Sequence, residues 1–197
     1  MRKLVVATKN PGKAKEVAEI LVGLPYEVVS LAQYSDAPDV EETGTTFVEN
    51  AVLKAKAYAE FTGELTLADD SGLEVDALDG APGVYSSRFA PTDAERISKL
   101  LDVMKDVPDE RRTARFCCAV AIAEPGGEAR TCEGKVEGTI AHEPRGDNGF
   151  GYDPIFQVTS LNKRMAELES SEKNAISHRG KALEQAKKLL LGTQCDG

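Results

Sequence analysis

The stretch Arg2-Lys3-Leu4-Val5-Val6-Ala7-Thr8-Lys9-Asn10-Pro11-Gly12-Lys13 decides the fold. Its apolar run from Arg2 to Ala7 reads as a buried strand. Ala14 to Leu21 follows with Val17, Ile20 and Leu21 at helical spacing. Between the two, Asn10 can cap the helix, and Pro11 suits a first turn where a missing N–H costs nothing. The chain therefore opens as strand, loop, helix, the beginning of an α/β fold. The same run starts like a secretory leader, but charge and turn residues from Thr8 to Lys13 interrupt it at once.

Working outward, Tyr26 to Leu31 reads as a second strand, and Ser35 to Gly44 as a polar loop carrying Asp36, Pro38, Asp39, Glu41 and Glu42. Thr46-Phe47-Val48-Glu49 is a capping box that opens a helix running to about Phe61, where Gly63 stops it. Val48, Val52, Ala55 and Ala59 mark its apolar face. Leu65 to Ala68 reads as a strand ending in Asp69-Asp70-Ser71-Gly72, with Leu73 to Ala77 as a separate strand and a turn at Asp79 to Gly83. Thr92 and Glu95 form a second capping box before a helix with Ile97, Leu100, Leu101 and Met104 on one face. Arg112 to Glu124 and Ala129 to Ile140 are strands joined at Pro125-Gly126-Gly127, and a last helix spans about Ser171 to Leu191. Interleaved strands and helices with at least one antiparallel pair predict a mixed-sheet α/β fold.

Composition narrows the classes. The 197 residues suit one domain, or two small lobes sharing a core, and no repeat or linker divides them. No apolar run approaches the ~18 residues of a membrane span. A net charge of −9 argues against general affinity for nucleic acid or anionic membranes, while leaving room for a nucleotide held by local cations. Cys117, Cys118, Cys132 and Cys195 show no C-x-x-C spacing, and with two histidines a zinc site is not expected. Reduced thiols in a cytoplasmic protein are the plain reading.

Four segments carry candidate chemistry. Thr8 to Lys13 lies where a helix N-terminus favours an anion, with Gly12 permitting close approach and Lys9 and Lys13 adding charge. It also reads as an ordinary turn with solvated lysines. The acids Glu41, Glu42, Glu49, Asp69 and Asp70 can supply a magnesium site, two or three carboxylates joining water and phosphate oxygens. Glu49 is already explained by its capping box, and Glu41 and Glu42 by a solvated loop. Neighbouring strand residues face opposite ways, so Asp69 and Asp70 cannot both face one site unless the strand ends between them. Lys54 shares a helix face with Asn50 and either reaches phosphate or is solvated. Gly146 to Pro154 sets Phe150 among glycines, where it can stack on a flat ligand or plug the core. Lys173 with Ser177-His178-Arg179 brings donors near a helix start.

In order along the chain, these segments resemble the inosine triphosphate pyrophosphatase family, which acts on non-standard purine nucleoside triphosphates. The blocks are Thr8-Lys9-Asn10-Pro11-Gly12-Lys13, Glu41-Glu42-Thr43-Gly44, Thr46-Phe47-Val48-Glu49-Asn50-Ala51 with Lys54-Ala55, and Ala68 to Leu73. Gly80 to Ser86, Phe150-Gly151-Tyr152-Asp153-Pro154 and Lys173 through Gly180 complete them, covering residues 2–190. Lys9 departs from the pattern, where a small or polar residue is more usual. The resemblance implies one domain over 1–197: an elongated mixed sheet flanked by helices, two lobes with a nucleotide cleft between them, and a disordered tail at 192–197. It implies a homodimer and a magnesium cofactor. It implies that Thr8 to Lys13 hold the triphosphate, with Lys13 and Lys54 also catalytic. Asp70 is then general base and metal ligand, with Glu41 or Glu42 completing the metal site. Ser71 contacts substrate, Phe150, Gly151, Tyr152 and Asp153 cover the base, and Lys173, His178 and Arg179 bind it. Other readings are a pyrophosphatase for different modified nucleotides and a catalytically silent nucleotide-binding protein.

Overall fold

The computed structural model describes residues 1–192, so the tail expected at 192–197 lies, beyond Gly192, outside the described residues. Strand β1 (Arg2–Val6) leads into helix α1 (Pro11–Ile20), then β2 (Tyr26–Ser30), α2 (Phe47–Thr62) and β3 (Leu65–Val75). Helix α3 (Asp93–Val103) precedes β4 (Thr113–Ala123), β5 (Arg130–Ile140), β6 (Phe156–Val158), β7 (Lys163–Arg164), α4 (Ser170–Ile176) and α5 (His178–Leu190). The strands form a mixed seven-stranded sheet in the order β2-β1-β3-β4-β5-β6-β7. β1 runs parallel to β2 and β3, while β5–β6 and β6–β7 are antiparallel. No described helix is long and apolar enough to cross a membrane.

The described residues divide into two compact units, the first of 1–70, 118–134 and 179–192, the second of 71–117 and 135–178. In the first unit the period-two alternation of strands sorts side chains onto two faces. Leu4 and Val6 of β1, Leu65 and Leu67 of β3, and Cys118, Val120 and Ile122 of β4 pack against Val17, Ile20 and Leu21 and against Ala182, Leu183, Ala186 and Leu190 of α5. On the other face Val5, Ala7, Ala68, Ala119, Ala121 and Ala123 meet Ala51, Ala55, Tyr58 and Ala59 of α2. Alanine against alanine lets α2 lie close to the sheet. Its buried face centres on Ala51, Ala55 and Ala59, with the expected Val48 and Val52 at the margin.

The second unit builds its core from Leu73 and Val75 of β3, Ala114 and Phe116 of β4, and Val136 and Ile140 of β5. Leu100 and Met104 cover them, with Ile97 and Leu101 at the edge, which is the α3 face the sequence predicts. Both capping boxes are formed: the Thr46 and Thr92 hydroxyls accept from the Glu49 and Glu95 amides, and each glutamate reaches back. Such caps contribute about 1 kcal/mol each. Gly63 ends α2 in the left-handed conformation, φ 71°.

Two boundaries differ from expectation. The strand expected to end at Asp69-Asp70 instead runs unbroken from Leu65 to Val75, because half-buried lysines on both faces meet the two acids. The single last helix is two, broken at Ser177, whose backbone is extended (φ −68°, ψ 160°). The short strands β6 and β7 carry too little periodicity to be read from sequence.

Candidate active site

Because β3 does not end at the acid pair, its alternation continues through it. Asp69 follows Leu65 and Leu67 onto the face of α1 and α5, and Asp70 follows Ala68 onto the face of α2. The expectation that both face one site only if the strand ends between them resolves into two environments.

Asp69 is 3% exposed. Its Oδ2 meets Lys13 Nζ at 3.0 Å and Arg179 Nε at 3.3 Å. The Arg179 guanidinium is fully buried and also binds Glu16 of α1. Burial opposes the Asp69 charge, but Lys13, Arg179 and Lys54 prevail and hold its carboxyl well below the ordinary value. The same ion pairs raise Arg179, against the opposing effect of its burial. Glu16, which sequence reasoning passed over, carries a legible signal. It sits beside Val17 on the stripe Lys13, Val17, Ile20, where an acid is costly without a cation.

Asp70 is 6% exposed and has different partners. Asn50 Nδ2 donates to its Oδ2 at 3.2 Å, and Lys54 Nζ lies 3.4 Å from its Oδ1. Burial pushes the Asp70 carboxyl up and nearby Glu42 adds to that, with Lys54 and Lys13 opposing. Lys54 Nζ also donates to Glu42 Oε1 at 2.6 Å, so it is half-buried against acids rather than solvated. Its own burial favours the neutral amine, but Asp70, Asp69 and Glu42 leave its pKa raised. Glu41 is exposed, and no ion pair to it is found among the described residues.

The Thr8 to Lys13 segment divides. Asn10 caps α1 by accepting from Lys13 N at 3.1 Å, Thr8 Oγ1 accepts from Asn10 N at 3.2 Å, and Pro11 and Gly12 form the first turn. Lys13 turns inward to Asp69, whereas Lys9 is exposed and pairs with Asp39. Sequence alone could not separate the two lysines.

In the second unit, Ser71 is half-buried directly after Asp70. Gly149 has φ +77°, and a Cβ there would collide with the Asp153 carboxylate. Asp153 Oδ2 accepts from Phe150 N at 2.9 Å and from Lys173 Nζ at 2.5 Å, closing the glycine-rich loop from within. Gly151 N donates to Asp93 Oδ2 at 2.8 Å. Phe150 is half-buried, with the Lys173 ammonium 4.8 Å from its ring centroid. Tyr152 is buried in the core, where its hydroxyl donates to Ser86 O at 2.9 Å. His178 stacks on Phe116 with centroids 4.8 Å apart and planes at 14°. His178 and Arg179, adjacent in sequence, therefore serve different neighbours: an aromatic ring and a pair of carboxylates.

Among the described residues no three His, Cys, Asp or Glu side chains gather into a metal cage. Magnesium does not require one, since it is commonly held by one or two carboxylates together with substrate phosphates and water. Asp70, a buried carboxylate beside an acidic loop, fits that donor set.

The Ham1 family model matches residues 4–189. A dITP/XTP pyrophosphatase of Desulforamulus reducens is 56% identical over 191 residues, covering 95% of this chain and 95% of the relative. One of Bacillus subtilis is 53% identical over 193 residues, covering 96% and 98%. A solved HAM1 protein of Coxiella burnetii is 49% identical, covers 98% of this chain and all of its own, and superposes with a TM-score of 0.89.

Proposed function

This chain belongs to the Ham1 family, and from that premise we propose that it hydrolyses non-standard purine nucleoside triphosphates (ITP, dITP, XTP, dXTP) to monophosphate and pyrophosphate. Relatives named for that activity match almost the whole chain. The observation that carries the chemistry is Asp70, a buried carboxylate with a raised pKa, held by an amide and a lysine. A general base needs that combination of fixed orientation and elevated basicity.

In this reading water attacks the α-phosphorus and Asp70 takes its proton. Thr8 to Lys13 receive the triphosphate at the start of α1, and Lys13 and Lys54 offset its charge. Asp70 and Glu41 would hold magnesium. Glu42 is already met by Lys54, whereas Glu41 has no described cation, which favours it over its neighbour. Bound there, magnesium supplies Lewis-acid stabilisation of charge developing on phosphate oxygens.

Ser71 contacts substrate, and Phe150 supplies a stacking surface within the loop of Gly151 and Asp153. Lys173 and His178 offer donors for the six-position oxygen of hypoxanthine or xanthine, which adenine replaces with an amine. Arg179 acts from the interior, tying Asp69 and Glu16 to the start of α5. A cytoplasmic homodimer, which the resemblance implies, completes the proposal. Burial pushes the Cys117 and Cys118 thiols up to about 12, so neither is a nucleophile at neutral pH.

The test is product analysis over ITP, dITP, XTP, GTP, ATP and modified pyrimidine triphosphates, with and without magnesium. Pyrophosphate from the non-standard purines, only with metal, is expected. Equal kcat/KM for ATP and ITP overturns the base preference, orthophosphate overturns the reaction, and no product at all leaves a silent nucleotide binder.

A further inference from the structure

Asn50 takes no part in the chemistry above, yet it is completely buried between the two elements that chemistry needs. Its Oδ1 accepts from Gly44 N at 2.8 Å, and its Nδ2 donates to Asp70 Oδ2 at 3.2 Å. The two neighbours leave one orientation. Reversing the amide would set NH2 against an N–H and oxygen against a carboxylate. Gly44 closes the acidic loop Glu41-Glu42-Thr43-Gly44. A Cβ on Gly44 would stand 2.7 Å from Asn50 Oδ1 and 2.6 Å from Glu49 Cβ, so glycine is what permits the approach. The other Asp70 oxygen, Oδ1, faces Lys54, which reaches Glu42 in the same loop. Both Asp70 oxygens are thus connected to the acidic loop, one through the Asn50 amide and one through the Lys54 ammonium.

We infer that Asn50 is a positioning residue, which fixes the Asp70 carboxylate and, through Gly44, sets the acidic loop against it. One side chain thereby holds the base and the loop carboxylate in a single geometry. The inference rests on the proposed roles of Asp70 and Glu41. It adds that their arrangement is built by the first turn of α2, before nucleotide arrives. Partners of this kind orient metal-binding and reacting carboxylates, and their loss typically costs about 10–100-fold in metal affinity or activity.

The experiment uses the full chain and three variants. Asn50→Ala removes both bonds, Asn50→Asp keeps an acceptor for Gly44 while opposing Asp70, and Gly44→Ala sets a Cβ against Asn50 and Glu49 where the loop ends. For Asn50→Ala, kcat is expected to fall about 10–100-fold while the nucleotide KM stays within about threefold. Calorimetric affinity for Mn2+ without nucleotide should weaken by about tenfold or more. Asn50→Asp should not restore kcat, because it returns the loop bond and not the donor to Asp70. Should Asn50→Ala fail to fold, Gly44→Ala reads the same link and should weaken Mn2+ binding.

A merely structural asparagine predicts a lower Tm with kcat and Mn2+ affinity within about twofold of the parent, and that result overturns the inference. Unchanged Mn2+ affinity in a folded Gly44→Ala overturns it as well. Loss of Mn2+ affinity in variants of a parent that releases no pyrophosphate leaves Asn50 in place and removes the proposed reaction instead.

Discussion

Asp69 and Asp70 are the same residue type, adjacent on one strand and almost equally buried, yet their surroundings drive their acidities apart. Asp69 meets Lys13 and Arg179 directly and stays ionised. Asp70 meets a neutral amide and shares a single lysine with Glu42, so its charge is under-compensated. In the proposed mechanism these separated pKa values divide structural from reactive work. The alternation of a continuous strand creates the difference, by giving each acid its own helix.

The largest expected effect comes from removing the reactive member. Asp70→Asn is expected to lower kcat by ~10²–10⁴-fold, read by pyrophosphate release. It should unfold no more easily than the parent at neutral pH, because the replaced charge is one the fold disfavours. Near-parental turnover would take Asp70 out of the mechanism.

Asp69→Asn breaks the comparison from the other side. It leaves Arg179 and Lys13 short of a buried anion, and removing one partner of such a pair typically costs about 3–5 kcal/mol, measured by denaturant unfolding. A loss of activity without a loss of stability would reverse the roles assigned to the two acids.

The smallest effect is in pH dependence, where the two acids have opposite signs. Asp69 is depressed in the folded state, so its contribution to stability is present above the ordinary value of 3.8 and fades as pH falls below it. Asp70 is raised, so it costs stability as pH climbs from 3.8 through its folded value, and the cost persists above it. Because kcat/KM reports the free enzyme, its acid-side decline should lie above that of an ordinary aspartate when the metal enters with the nucleotide, since a metal already on Asp70 would lower its pKa. Lys54→Met should move that decline to higher pH, because Lys54 is the largest influence lowering the Asp70 pKa. An unmoved acid limb would show that Asp70 is not the group being titrated.

Much of the fold was legible locally. The caps at Asn10, Thr46 and Thr92, the stop at Gly63 and the α3 stripe depend on residues within a few positions of one another, and all are present. Asp69-Asp70 misled as a strand end, because two acids in a buried strand are unfavourable until distant cations are placed beside them. The site was legible as a set of residues and less so as an arrangement. Nothing near Lys9 and Lys13 says that one is solvated and the other paired with a buried aspartate 56 positions later. Arg179 and His178 read as one donor pair, yet the break at Ser177 and the start of α5 send them to different partners.

By itself, the sequence determined the α/β class, the caps and turns, the family and the inventory of reactive groups, all carried by period, spacing and residue type. Only the tertiary structure decided which carboxylate is poised and which is clamped, that Glu42 is neutralised by Lys54 while Glu41 is left exposed, and that Asn50 joins the loop to Asp70. The physical reason is that ionisation and orientation depend on what lies within a few ångströms, and those neighbours come from separate helices and strands that meet only in the fold.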